Sequence, residues 1–247
     1  MIEEAVLKEA IQYNRVFPWL LTAVLAAGLT GWVPAARLAA QEKSVKPGIN
    51  ETWKSDAIEP LVNTLEAESR EIYTQRAALA DLLALRPGMA VADIGAGSGF
   101  MVEEFARRVG AAGKVYAVDI NGKLLERIAA NAKQHNLPQV QIVLTHEDSV
   151  DLPDGTVDLV FVCDTYHHFE YPQKSLAGIQ RALRTGGELI VVEFHREPGQ
   201  SPGWILEHVR AGQAEFTREI EAAGFTFVRV EPAPFLSQNY VLRFRKR

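Results

Sequence analysis

From Met89 to the C-terminus, short apolar runs alternate with longer stretches whose apolar residues recur every three or four positions, and few folds accommodate that alternation. "MAVADIG" (89–95), "KVYAVDI" (114–120), "VQIVLT" (140–145), "VDLVFVCD" (157–164) and "GELIVVEF" (187–194) read as strands. "FMVEEFARRVG" (100–110), "GKLLERIAANAKQHN" (122–136) and "PQKSLAGIQRALRTGG" (172–187) read as the helices between them. Strands this continuously apolar are covered on both faces, which predicts an α/β fold with a doubly wound, mostly parallel sheet. One long helix over 203–224 follows, and then "FTFVRVE" (225–231) and "NYVLRFRKR" (239–247), spaced to pair antiparallel at an edge.

The first 46 residues differ from the rest. Phe17 to Val33 run without a charge and lead into small and polar residues, "PAARLAAQEK". A spanning helix wants about 20 apolar residues, so this stretch better fits an export signal or a short membrane anchor. Glu3, Glu4 and Glu9 stand against Lys8 and Arg15 ahead of it, which is not the basic start of a signal, and a packed helix is the alternative. The expectation is therefore export, as to a periplasm, or membrane association through residues 17–33, with a cytoplasmic chain as the other reading. Residues 47–88 read as a helical lid or extension, with Ser55 or Asp56 capping a helix that carries Ile58, Leu61, Val62 and Leu65, and later Ile72, Leu79, Leu82 and Leu83. Residues 89–247 form the remaining domain.

A formal net charge of -5 argues against a dedicated nucleic-acid binder, which needs a broad basic surface. The single cysteine, Cys163, excludes an intrachain disulfide and a multi-cysteine metal site, and reads as a small buried residue.

"VADIGAGSGF" (91–100) places Gly95, Gly97 and Gly99 between the first strand and its helix, at the carboxyl edge where such sheets bind ligands. A dinucleotide fingerprint would put the third glycine at position 100, which is Phe100. Asp93, just before the loop, suits a cationic group rather than a pyrophosphate. Asp119 closes the second strand, where an acid can accept both hydroxyls of a ribose. Asp148 follows the third strand, placed to accept from an adenine amino group, with Ser149 beside it.

With "VADIGAGSG", the acid of "VYAVDI", "EDSVDLPDGTVDLVFV" and "ALRTGGELIVVEF" in this order, the chain resembles the class I S-adenosylmethionine-dependent methyltransferases over about residues 70–247. The resemblance implies a Rossmann-like seven-stranded sheet with an antiparallel last strand and S-adenosylmethionine as cofactor. It implies that Asp93, Gly95, Ala96, Gly97 and Gly99 hold the methionine part, Asp119 with Ile120 the ribose, and Asp148 and Ser149 the adenine. Within that family the chain is similar to the group acting on small molecules, which includes quinone-ring methyltransferases. "KPGIN", "ESREIYTQR" and "DTYHHFEYP" look similar to bacterial members that often begin with an export signal.

Methyl transfer asks the protein to position an acceptor, exclude water and remove a proton where there is one. "CDTYHHFEY" leaves the fourth strand beside the cofactor, making His167 and His168 the candidate bases, His167 first, with Asp164 and Tyr166 as neighbours in the site. The alternative is that both histidines only hydrogen-bond the loop. Tyr166 and Phe169 could face the sulfonium, or pack in the core. Glu193 and His195, with Asp164 and His167, offer mixed metal ligands, but structural use is the better reading and no metal is assigned. Arg70 and Tyr73 could close over the cofactor as a lid, or lie on a helix surface. Rival readings of the whole are a nicotinamide-dependent oxidoreductase and a non-catalytic module binding a nucleoside or lipid.

Overall fold

The computed structural model describes residues 41–247, and the stretch at 17–33, with the export or anchor expectation built on it, lies outside them. The described residues fall within one compact unit, Arg37–Arg247. No helix among them is long and apolar enough to cross a membrane.

A tight helical turn, Glu51–Lys54, leads into three short helices, α1 (Glu59–Leu65), α2 (Glu71–Thr74) and α3 (Arg76–Leu82). The alternating part follows as β1 (Ala90–Ile94), α4 (Phe100–Val109), β2 (Lys114–Asp119), α5 (Gly122–Gln134), β3 (Val140–Leu144), β4 (Val157–Cys163), α6 (Pro172–Ala182) and β5 (Leu183–Phe194). α7 (Gly203–His208), α8 (Gln213–Ala222), β6 (Phe225–Val230) and β7 (Asn239–Lys246) complete the chain. The seven strands form one sheet in the order β3-β2-β1-β4-β5-β7-β6, parallel except for β7. β7 inserts between β5 and β6 and is antiparallel to both, so the pair expected at the edge has only β6 there.

Strand alternation sorts the core into two layers. Ala92, Val160, Val162 and Val191 face α6 and α8 with Leu176, Ile179, Phe216 and Ile220, while Val91, Phe161, Val192 and Val241 face α3, α4 and α5 with Leu79, Phe105 and Leu125. The two edge strands depart from full coverage, β3 leaving Ile142 and Leu144 exposed and β6 leaving Val230 exposed.

Three departures from the sequence reading have local causes. No side chain caps α1: its N-cap is Ile58, Pro60 fills the first turn, and Ser55 instead accepts from the Ala57 amide. The helix expected over 172–187 stops at Ala182 because Leu183 turns extended and pairs with Val157 in the sheet. The helix expected over 203–224 breaks after His208, where Val209 is extended and Arg196 donates to the free carbonyls of Leu206 and Val209.

Phe161 packs edge-on against Phe105 at 5.2 Å in the centre of the α4 layer, and neither ring is exposed. Phe161→Ala is expected to lower the unfolding free energy by roughly 3 to 5 kcal/mol, read from urea unfolding as a shifted midpoint at unchanged slope.

Candidate active site

The carboxyl ends of β1, β2 and β4 open into a cavity of about 590 Å³, roofed by the segment that runs from Asn50 to Arg70. The glycine loop forms its floor. The amides of Gly95 and Ala96 donate to the Val118 carbonyl, and the Gly97 amide donates to Asp119 Oδ2 at 2.8 Å. Gly95 has φ +74°, and a methyl group there would lie 2.3 Å from Thr165 Cγ2. Gly97 has φ +55° and lies under Leu65, whose Cδ1 would stand 2.8 Å from an added Cβ. Glycine at these two positions therefore permits both the turn and the close approach of β4's loop and of α1.

Two buried carboxyl groups lie behind the loop. Asp119 accepts the Gly97 and Asn121 amides on separate oxygens. Burial raises its pKa while the backbone amides of Asn121, Gly97 and Ile120 pull the other way. Asp93 is 3% exposed, and among the described residues its carboxyl has no hydrogen-bond partner. Burial, and then the neighbouring Asp119 charge, push its pKa up to about 8.

At the end of β4, Asp164 adopts φ +47° and receives Arg70 Nη2 at 2.8 Å and Asn239 Nδ2 at 2.6 Å, one on each oxygen. Its pKa is raised to about 6, burial outweighing the Arg70 charge. His167 is buried, and its Nδ1 sits 2.8 and 2.9 Å from the two oxygens of Glu193, which is fully buried. His168 Nδ1 lies 3.2 Å from Asn50 Oδ1, and its Nε2 lies 3.2 Å from His208 Nε2. Burial lowers the His168 pKa to about 2, aided by its histidine neighbours and Lys46, and burial lowers that of His208 as well. The Cys163 thiol, also on the cavity wall, is pushed up by burial and stays protonated.

Of the residues singled out from the sequence, Asp93, Gly95, Ala96, Gly97, Asp119, Ile120, Ser149, Asp164, His167 and His168 line the cavity. Four do not. Gly99 lies beneath the loop as the left-handed N-cap of α4, against Ile128. Asp148 turns to Lys174 at 3.0 Å on the surface, leaving His146, Glu147 and Ser149 as the wall. Tyr73 stacks edge-on with Phe100 beneath Arg76 rather than facing the cavity. Tyr166 points into the core, where its hydroxyl donates to Glu219 and Phe216 packs on its ring. His195 packs on Tyr240 outside the cavity, so the mixed set of Glu193, His195, Asp164 and His167 does not converge.

Other lining residues escaped the sequence reading. Asn50 and Trp53 lie within the 47–88 lid or extension but were not themselves singled out. His208 lies inside what reads as one helix, although Gly212, the N-cap of α8, was a signal of the break that exposes it. Asn121 fastens the roof: its Oδ1 caps α5 while its Nδ2 donates to the carbonyls of Trp53 and Ser55.

Residues 92–191 match a methyltransferase domain family. The chain is 30% identical over 151 residues to the ubiquinone/menaquinone biosynthesis C-methyltransferase of Hydrogenovibrio crunogenus, covering 60% of this chain and 50% of that protein. It is 32% identical over 112 residues to the protein of the same name from Bordetella avium, covering 45% and 43%. The match thus spans about half the length of these curated relatives. Among solved structures, a SAM-dependent methyltransferase from Aquifex aeolicus superposes with a TM-score of 0.66 at 26% identity, over 75% of this chain and 97% of that one.

The folded Asp93 carboxyl keeps its proton up to about pH 8, whereas the ordinary value is 3.8, so the folded state holds the extra proton across that window. Stability therefore falls as pH rises from about 4 to 8 and levels off above. Asp93→Asn is expected to flatten this slope and to raise the melting temperature at pH 8 more than at pH 5, as followed by circular dichroism.

Proposed function

We propose that this chain, whose residues 92–191 match a methyltransferase domain family, transfers the methyl group of S-adenosylmethionine to a small, largely apolar acceptor by in-line displacement. The observation that carries this reading is Asp93, a buried carboxyl without a partner at the foot of a ligand-sized cavity. An ammonium group is what it lacks, and the methionine end of the cofactor has one.

The remaining residues fit the same ligand. Asp119 uses one lone pair on each oxygen for the loop, which leaves acceptors for a ribose diol. Ser149 and the backbone near His146 offer polar atoms to an adenine ring, the role assigned from sequence to Asp148 passing to its neighbours. The cavity falls within the range of roughly 300 to 1,000 Å³ usual for small-molecule sites. When bound, S-adenosylmethionine supplies a methyl group made electrophilic by a positively charged sulfur.

What the chain's own residues do is positioning and exclusion. Leu65 lies over the glycine loop and keeps water from it. Arg70 is fixed by Asp164, which Asn239 holds from the other side, so Asp164 acts as a positioning residue rather than a base. Glu193 accepts from His167 Nδ1, which leaves Nε2 of that ring for the acceptor's proton. Phe169, Phe194 and Trp204 line the same cavity, and such a wall suits a flat ring. That acceptor class agrees with the names of the relatives, which act in ubiquinone and menaquinone biosynthesis. A nicotinamide reading is disfavoured by Asp93 itself, since a pyrophosphate would meet a carboxylate.

Calorimetric titration of the full chain with S-adenosylmethionine tests this reading. One saturable site is expected, weakened about 10- to 100-fold by Asp119→Ala, the effect of losing charged hydrogen bonds of about 1.5 to 3 kcal/mol. Asp93→Asn is expected to weaken binding as well while leaving the protein folded. No saturable binding by the intact chain overturns the proposal. Export through residues 17–33 is a separate proposal, read from the mass of the protein isolated from its host, where loss of roughly the first 40 residues is the expected result.

A further inference from the structure

Three histidines from different parts of the sequence meet at one end of the cavity. His167 and His168 come from the helical turn after β4, and His208 from the last residue of α7. One ring nitrogen from each lies within 4.8 Å of the other two. Ring centroids stand 4.4 to 5.0 Å apart, and the His168 and His208 Nε2 atoms are 3.2 Å apart. From this geometry we infer that His167, His168 and His208 form a binding site for a divalent transition-metal ion, Zn²⁺ fitting best, with an open coordination position facing the cavity.

The hydrogen bonds around the trio select the ligating atoms. Glu193 accepts a hydrogen bond from His167 Nδ1, which leaves Nε2 of the neutral ring with the lone pair. Asn50 donates its amide Nδ2 to the His168 carbonyl, which turns its oxygen toward His168 Nδ1 and fixes the proton there. His168 Nε2 is therefore also a lone pair. A carboxylate or amide oxygen behind a ring nitrogen is the arrangement that orients metal-bound imidazoles and raises their basicity.

Two nitrogens at roughly 2.0 to 2.1 Å from a tetrahedral ion stand about 3.3 Å apart, close to the spacing of the His168 and His208 Nε2 atoms. The wider separations in the trio close by no more than about 1.5 Å around an ion. Burial and the cationic surroundings disfavour protonation of His168 and His208, with Lys46 donating to the carbonyls of Glu207 and His208 from behind. Glu193 supplies a carboxylate in contact with the set, and three imidazoles with a fourth position open to a cavity is a ligand count of catalytic rather than structural zinc.

The role of the ion, though not the site itself, rests on the proposed methyl transfer. An acceptor hydroxyl or thiol that takes the open position loses its proton to water and is held there as the oxygen or sulfur anion, the form that attacks an electrophilic methyl group. The ion then does for the acceptor what a free His167 would otherwise do, which commits the site to O–H or S–H acceptors.

The full-length protein, stripped with a chelator and dialysed, is titrated with Zn²⁺ against a chromophoric competitor and with Co²⁺ followed by visible absorption. One ion per chain, bound at micromolar affinity or tighter, with the intense Co²⁺ absorption of a four-coordinate site is expected. His208→Ala and His168→Ala should each weaken Zn²⁺ binding at least about 100-fold, and Glu193→Gln about 10-fold. Binding of S-adenosylmethionine by the same variants, measured by calorimetry without metal, reports their folding and tests the methyltransferase reading independently. Should a variant fail to fold, the Co²⁺ spectrum of the unsubstituted chain decides: weak absorption of a six-coordinate ion overturns the site. Zn²⁺ affinity that does not change in His208→Ala, or no stoichiometric ion at all, also overturns it and leaves the trio as a hydrogen-bonded network in which His208 donates to His168.

Discussion

The hydrogen bond from the Gly97 amide to the Asp119 carboxylate is the contact on which the rest of the site depends. It ties the loop after β1 to the end of β2, and the second oxygen of the same carboxylate orders the turn into α5 through the Asn121 amide. Asn121 in turn caps α5 and holds the carbonyls of Trp53 and Ser55, so the roof of the cavity is fastened through the same turn. A carboxylate buried to this degree is tolerable because backbone amides surround it, and those amides are available because glycine lets the loop turn back on the sheet.

Asp93 shows the opposite economy of charge. It has the burial of Asp119 without its hydrogen bonds, and the folded chain keeps it largely protonated at neutral pH. A site that holds an unpartnered carboxyl beside a second carboxylate is destabilised until a cation arrives, which is a common exchange of stability for binding.

The other end of the cavity is organised by interruption of regular structure. The end of β4 turns sharply at Asp164, in the left-handed region, and this directs the two following histidines to opposite supports, Glu193 for one and Asn50 for the other. The break after α7 leaves His208 at a helix end, with Arg196 satisfying the carbonyls that the missing turn would have used. Continuous helix over 203–224 would have no free end at position 208 to present. The match to the methyltransferase domain family covers 92–191, whereas the roof and His208 lie outside that span.

The order of strands and helices, the parallel character of the sheet and the position of the glycine loop were legible in the sequence, because each rests on short-range periodicity and on the conformations open to glycine. Asp93 and Asp119 were legible for a related reason: a residue at the carboxyl end of a buried parallel strand has little choice but to face the ligand edge. Which way a loop side chain turns is different, since one residue of rotation decides it. Asp148 thus went to Lys174 while Ser149 kept the cavity, and Tyr166 sank into the core while His167 beside it did not. The tertiary structure alone brought Asn50, His168 and His208 together, residues as many as 162 positions apart for the Lys46–His208 strap behind them, because contacts between distant segments are set by packing and leave no period in the chain.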